Sequence, residues 1–164
     1  MFLLLTALLA AATGAEPAPA AQYSLLAHLS FGGYSLKISD ANGTATASGL
    51  VASAGAVATR NLSSAFSLGA LVELSDFLPD NSGAPATLGL LVGAAAVFRA
   101  GALALSGGPA LSVLGDGHGA GLGLLAGVDV LIAGPVSLHG QASWRSASGG
   151  VTLFAGELGI GLVY

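Results

Sequence analysis

The 164-residue sequence contains no cysteine. This excludes disulfide bonds, thiolate catalysis, cysteine-ligated metals and a lipid-modified N-terminal cysteine. Cations are scarce too: four Lys and Arg side chains stand against eight Asp and Glu, for a net charge of −4. So few cations cannot build a basic surface for a nucleic acid, and we therefore expect no nucleic-acid partner.

Long apolar runs are missing as well, although the chain is apolar overall. Its mean hydropathy is +0.83 and 54% of its residues are hydrophobic, which is unusual for a soluble domain. A spanning helix needs about 20 consecutive apolar residues, and the best internal stretches, 88–98 and 124–134, are too short or contain an Asp. The 26 glycines also disfavour long helices, since an interior Gly costs about 1 kcal/mol relative to Ala.

Residues 1–20 predict a secretory signal. The run 2–12 is apolar except for Thr6, and small residues follow at 13–15 and 18–20. This layout is typical of export, although no Lys or Arg precedes the run. An uncleaved anchor is the alternative, but the run is short for a bilayer. We predict a signal and short N-terminal segment at 1–20, followed by one domain at 21–164.

The domain predicts short strands in which apolar and polar residues alternate. We expect eight strands, at 22–34, 44–58, 62–75, 85–98, 102–113, 120–132, 136–145 and 151–164. Three connections are tight, at 59–61, 99–101 and 133–135; four are longer, at 39–43, 75–86, 114–120 and 146–150. Tight turns at one end and longer loops at the other are typical of an up-and-down outer-membrane barrel. The sheet must close, because backbone groups in lipid have to be paired.

Each predicted strand has a bulky apolar row, expected to face lipid, and a row of small or polar residues, expected to face the lumen. In the last strand the bulky row holds Phe154, Leu158, Ile160, Leu162 and Tyr164, and the other row holds Glu157, Gly159 and Gly161. Segment 85–98 is less regular, because Leu91 and Val97 fall on its lumen row.

The charged and aromatic residues are expected to sort with the same rows. The charges assigned to strands, all on the lumen row, are Glu73, Asp129, Arg145 and Glu157; Arg60 and Arg99 are assigned to tight turns, and Asp40, Asp76, Asp80 and Asp116 to loops or their edges. Outer-membrane barrels carry aromatic girdles at both interfaces. The predicted interface aromatics are Tyr23, Phe66, Phe98, Trp144, Phe154 and Tyr164, with Phe77 and either Phe31 or Tyr34 also near the loop end.

By these patterns the chain resembles the small outer-membrane barrels of the OmpA/OmpX type. The most specific element is the terminal segment FAGELGIGLVY, from Phe154 to Tyr164, which is similar to the C-terminal signal read by the barrel-assembly machinery. The resemblance implies Gram-negative-type export, insertion into the outer membrane by that machinery, and an all-β, eight-stranded antiparallel barrel. The loops are shorter than those of adhesion-type members, which argues against an adhesin.

Ionisable residues on neighbouring strands give the candidate site. If the hairpin at 146–150 is centred on Ser148, His139 lies across from Glu157; if the turn at 133–135 is centred on Gly134, Asp129 lies across from His139. Cross-strand neighbours have Cβ atoms about 4.5–5.5 Å apart, which permits hydrogen bonds.

The predicted lumenal polar cluster comprises Asp129, His139, Glu157, Glu73 and Arg145. Within it, Asp129, His139 and Glu157 could serve as a general-base site, with a carboxylate orienting His139, or as a weak metal site. We favour a structural plug, because an eight-stranded barrel is only wide enough for its own side chains and buried charges must pair.

No catalytic pattern is expected. Barrels of the lipid A deacylase type would show His-x-Ser on the outer wall, whereas His139 precedes Gly140-Gln141 and is expected to face inward. The palmitoyltransferase type would show an N-terminal amphipathic helix, which EPAPAAQ does not make. Asp116 and His118 are too few ligands for a cation.

We therefore predict a non-enzymatic, monomeric outer-membrane protein of structural or accessory role, without metal or cofactor and surrounded by outer-membrane lipid. A narrow, porin-like transport path is one alternative. A soluble exported barrel with an apolar ligand inside is another, and it requires the reverse facing of the two rows.

Overall fold

The structure, a computed structural model, describes residues 23–41, 43–80, 86–115 and 117–164. The predicted signal at 1–20 and the loop residue Asp116 lie outside the described residues. The division into a signal and a following domain therefore stays a prediction.

Eight antiparallel strands form the fold. They are β1 (Tyr23–Asp40), β2 (Gly43–Asn61), β3 (Phe66–Pro79), β4 (Thr87–Ala100), β5 (Leu103–Leu114), β6 (Gly119–Ala133), β7 (Val136–Ala147) and β8 (Val151–Val163), with a short 3-10 turn at Ser148–Gly150. Each strand pairs with the next, and β8 pairs with β1, so the sheet is closed. The prediction of an all-β, eight-stranded up-and-down barrel is confirmed.

In the described part of the chain, no helix is both long enough and apolar enough to cross a membrane.

β1 and β2 are longer than predicted, and β3 has the predicted length but starts at Phe66 instead of residue 62. β1 and β2 continue pairing up to Asp40 and Gly43, so Ser39, Asp40 and Gly43, which were predicted to lie in a longer loop, belong to strands. Outward residues along this extension are polar, among them Ser35, Lys37 and Thr46. The hydrophobic pattern marks only the part of a strand that faces lipid, whereas the hydrogen-bonded ladder continues beyond it.

The turn between β2 and β3 is displaced in the same way. Residues 59–61, predicted to be a tight turn, belong to β2, and the chain turns at 62–65. There the Ser63 hydroxyl accepts a hydrogen bond from the Phe66 amide at 3.0 Å. A serine that bonds a backbone amide three residues on is a common turn device, and it fixes the start of β3.

The two rows face as predicted. On the outer wall, Leu138, Leu158 and Ile160 are 55%, 76% and 60% exposed. Leu91 and Val97 point inward and are fully buried. Bulky apolar side chains thus cover the exterior.

Two apolar layers occupy the bore, separated by polar side chains. The turn-end layer contains Leu26, Val57, Leu71, Leu91, Ala95, Val97, Ala104, Ala110 and Leu125. The loop-end layer contains Tyr34, Val51, Phe77, Leu114, Val151, Leu153 and Ala155. The polar side chains between the two layers form the candidate site.

Candidate functional site

The polar side chains between the two apolar layers, called the polar core below, fall into two parts. The first part lies on β6 and β7. Asp129 and His139 are direct cross-strand neighbours, as predicted. The Asp129 Oδ1 atom lies 3.1 Å from His139 Nδ1 and accepts a 2.8 Å hydrogen bond from the Ser137 hydroxyl. All three side chains are buried, so the carboxylate fixes one edge of the imidazole ring.

The predicted pairing of His139 with Glu157 is wrong. The β7–β8 hairpin is centred on Gly149, with Ala147 opposite Val151, so His139 lies across from Gly159. Gly149 and Gly150 both have φ of +74°, a conformation that glycine adopts readily, and this allows the three-residue turn. Moving the centre by one residue shifts the pairing by two positions, which keeps every residue on its predicted face.

Gln141, rather than His139, lies across from Glu157 and connects the two. His139 Nε2 is 3.1 Å from Gln141 Oε1, and Gln141 Nε2 donates to Glu157 Oε1 at 2.9 Å. The Ser30 hydroxyl of β1 donates to the other Glu157 oxygen at 2.8 Å. Glu157 thus joins the cluster through an amide.

The second part of the core spans the bore. Arg145 on β7 and Glu73 on β3 come from opposite sides of the ring. Arg145 Nη2 lies 2.5 Å from Glu73 Oε1 and donates to the Ser75 hydroxyl at 2.6 Å. The guanidinium carbon also lies 5.0 Å from the centre of the Phe77 ring, a cation–π contact. A fully buried arginine is thereby held by a carboxylate, a hydroxyl and an aromatic face.

His28 joins the two parts, and sequence reasoning missed it. Its ring stacks on His139, with centroids 4.1 Å apart and planes 7° apart, and its Nε2 lies 3.4 Å from Glu73 Oε2. The alternation of Leu26, His28 and Ser30 could have placed His28 inward. Gly55 lies directly across from it; a Cβ there would come within 2.6 Å of His28 Nε2.

The core therefore brings together all five residues of the predicted lumenal polar cluster. Buried charges are tolerated only when partners and hydrogen bonds replace water. The contacts above supply these in part, whereas Arg145 Nε and Nη1 are buried without a hydrogen-bond partner. Each of the five side chains is at most 4% exposed. Within the described residues, no group of three or more His, Cys, Asp or Glu side chains could hold a metal ion.

Arg99 points into the turn end of the bore, contrary to its predicted place in a tight turn. It belongs to β4 rather than to a turn, and it donates to the hydroxyls of Ser67 and Ser24 at 3.1 and 2.8 Å. Arg60 also lies within a strand but on the exposed outer row. The longer β2 explains the place of Arg60, and the shift of β4 to Thr87–Ala100 explains that of Arg99.

The outer wall carries charge, which was not predicted. Lys37, Arg60 and Asp76 all belong to strands and lie on the outward row. The prediction that strand charges are confined to the lumen row is therefore wrong. The strands extend beyond the apolar pattern and take up residues assigned to turns and loops.

The six predicted interface aromatics lie on the outer wall near strand ends. Tyr23, Phe66, Phe154 and Tyr164 are exposed, and Phe98 and Trp144 are half-buried. Phe77 and Tyr34 instead point inward, in edge-to-face contact with centroids 5.2 Å apart, because they fall on the inward rows of β3 and β1. Phe31 faces outward near the middle of β1.

A comparison with protein-family models found no match, and a comparison with curated protein sequences found none either. Solved structures do match. Ail, the attachment invasion locus protein of Yersinia pestis, aligns with a TM-score of 0.52 and 11% identity over 85% of this chain and 99% of that chain. The neisserial surface protein A aligns with a TM-score of 0.50 and 14% identity over 87% of this chain and 97% of that chain. At such identities the likeness is one of fold.

The chain therefore has the fold of the small eight-stranded transmembrane β-barrels of the OmpA/OmpX type.

Proposed function

We propose that this protein is a monomeric, non-catalytic structural barrel of the Gram-negative outer membrane. The observation that carries the proposal is the combination of an apolar outer wall with a bore packed by its own side chains. The outer wall suits hydrocarbon, whereas a water-soluble barrel with an apolar ligand inside would require the opposite facing. The exposed outer leucines argue against that alternative.

The packing of the bore also argues against a transport path. Arg145 crosses the middle of the bore to Glu73, and Arg99 reaches Ser67 and Ser24 at the turn end. Leu91 and Phe77, from the two apolar layers, are almost completely buried. An eight-stranded barrel has just enough interior for its side chains, which agrees with the burial of these two residues.

Assembly belongs to the same proposal. Outward residues of β8 and Tyr164 form an exposed apolar row, as expected of a strand recognised by the barrel-assembly machinery. Export is proposed to depend on residues 1–20.

Two measurements test the proposal. Membrane fractions run on a gel without boiling should give a folded band that migrates differently after boiling. Purified barrel in planar bilayers should give no conductance steps. A protein found in the soluble fraction with unchanged migration contradicts the membrane location, and steady single-channel currents contradict the closed bore.

A further inference from the structure

One acidic side chain interrupts the apolar outer wall. Asp76 lies on the outward row of β3 between Leu74 and Leu78, and it is half-buried. Among the described residues, no Lys, Arg or His lies within ion-pair distance of its carboxylate. A charge among lipid-facing residues is unfavourable unless it has a partner, so the position suits a cation from outside the chain.

The carboxylate stands beside a groove in the wall. The groove has a volume of about 420 Å³. Its floor is formed by the small side chains of Ala52 and Ala54 on β2, and Asp76 lies directly across from Ala52. The raised sides are apolar; they are Leu29 and Phe31 of β1, Leu74 of β3 and Leu88 of β4.

The position of the groove along the barrel axis suits a lipid whose headgroup lies at the loop end. Leu50 and Leu78 form the last apolar outward pair there. Beyond them, the Ser48 hydroxyl donates to the Asp80 carboxylate at 3.0 Å. Asp76 therefore lies just inside the rim of the apolar wall, and the alanine floor continues from it toward the middle of the barrel.

We propose that this groove binds an acyl chain of a lipid whose headgroup carries a primary amine, with the ammonium hydrogen-bonded to Asp76. A carboxylate only accepts hydrogen bonds, an ammonium offers three donors, and the charge-assisted bond between them is strong. Anionic headgroups are repelled. Quaternary ammonium groups carry the positive charge but have no N–H donor, so they cannot form this hydrogen bond. The proposal rests on the membrane location proposed above.

The test compares lipids that share acyl chains and differ in headgroup. Folded full-length barrel in detergent is mixed with dioleoyl phosphatidylethanolamine, phosphatidylcholine or phosphatidylglycerol, and retained lipid is measured by native mass spectrometry. We expect retention of the ethanolamine lipid to be about tenfold higher than that of the other two, the effect of one charge-assisted hydrogen bond.

Three variants test which residues cause the preference for the ethanolamine lipid. Asp76→Asn should reduce ethanolamine-lipid retention to the choline-lipid level, whereas Asp80→Asn, which removes the same charge near the same rim, should leave it unchanged. Ala54→Leu should lower retention of all three lipids, because it fills the floor. Equal retention by the unaltered protein, or a preference that survives in Asp76→Asn, overturns the proposal. So does an Asp76-dependent dimer, which would make a second copy the occupant. A heat-modifiable band from each preparation shows that the barrel is folded, so failure of the barrel proposal is seen separately.

Discussion

Breaking the ion pair between Glu73 and Arg145 should destabilise the barrel strongly, and more when Glu73 is replaced than when Arg145 is replaced. Glu73→Leu leaves Arg145, which is 0% exposed, with the neutral Ser75 hydroxyl and the Phe77 ring as its remaining contacts. Removing one partner of a buried pair typically costs about 3–5 kcal/mol, because the other charge stays buried without compensation. We expect a loss in this range for Glu73→Leu.

Arg145→Met should cost less. Glu73 then still has His28 Nε2 at 3.4 Å and the Ser75 hydroxyl at 3.3 Å, so its charge keeps partners. The double variant Glu73→Leu, Arg145→Met removes both charges and replaces them with apolar groups, a change that is often close to neutral. It should therefore be more stable than Glu73→Leu alone.

Urea titration of the barrel refolded in phospholipid vesicles measures these differences, with the folded fraction read from the heat-modifiable gel band. Gln141→Leu is a matched control: it removes an uncharged side chain that links His139 to Glu157 and should cost about 1–3 kcal/mol. A Glu73→Leu loss below the Gln141→Leu loss, or a double variant no better than Glu73→Leu, refutes the argument that Arg145 depends on Glu73.

Further predictions concern facing and close packing. Leu138→Arg places a charge on the lipid-facing wall and should cost about 2–4 kcal/mol, whereas Gln141→Arg places the charge inside the bore beside Glu157. The yield of membrane insertion should therefore fall more for Leu138→Arg than for Gln141→Arg. The opposite order would mean that the two faces are assigned the wrong way round. Gly55→Ala should cost about 1–3 kcal/mol of stability by overpacking, since His28 is confined between His139 and Glu73. The control is the outward Gly33→Ala, whose Cβ would lie 3.7 Å from the Gly49 oxygen; in the same urea assay its stability should change by no more than about 0.5 kcal/mol. Equal effects of the two variants would contradict the packing argument.

The facing of the strands could be predicted because it depends only on alternation. His139, Gln141 and Arg145 point inward whichever residue opposes them, since side chains in a strand change face at every step. The pairing register between neighbouring strands is harder to predict from the sequence. The β7–β8 turn could be centred on Ser148 or on Gly149 without changing any face, and only the conformation of the two glycines decides it. The Gln141–Glu157 contact therefore had no unique sequence signal.

Contacts across the bore were still less predictable. Glu73 and Arg145 are 72 residues apart and belong to strands that never pair, so neither alternation nor turn geometry relates them. His28 and His139 meet in the same way, from strands separated by β8. Once a sheet of eight strands closes, however, its inward side chains share a bore too narrow for water to solvate each charge separately. The three carboxylates, one guanidinium and two imidazoles that are buried on the inward rows must then share partners. Closure of the barrel thus requires a connected polar core, and the depths of those residues along their strands decide which pairs form.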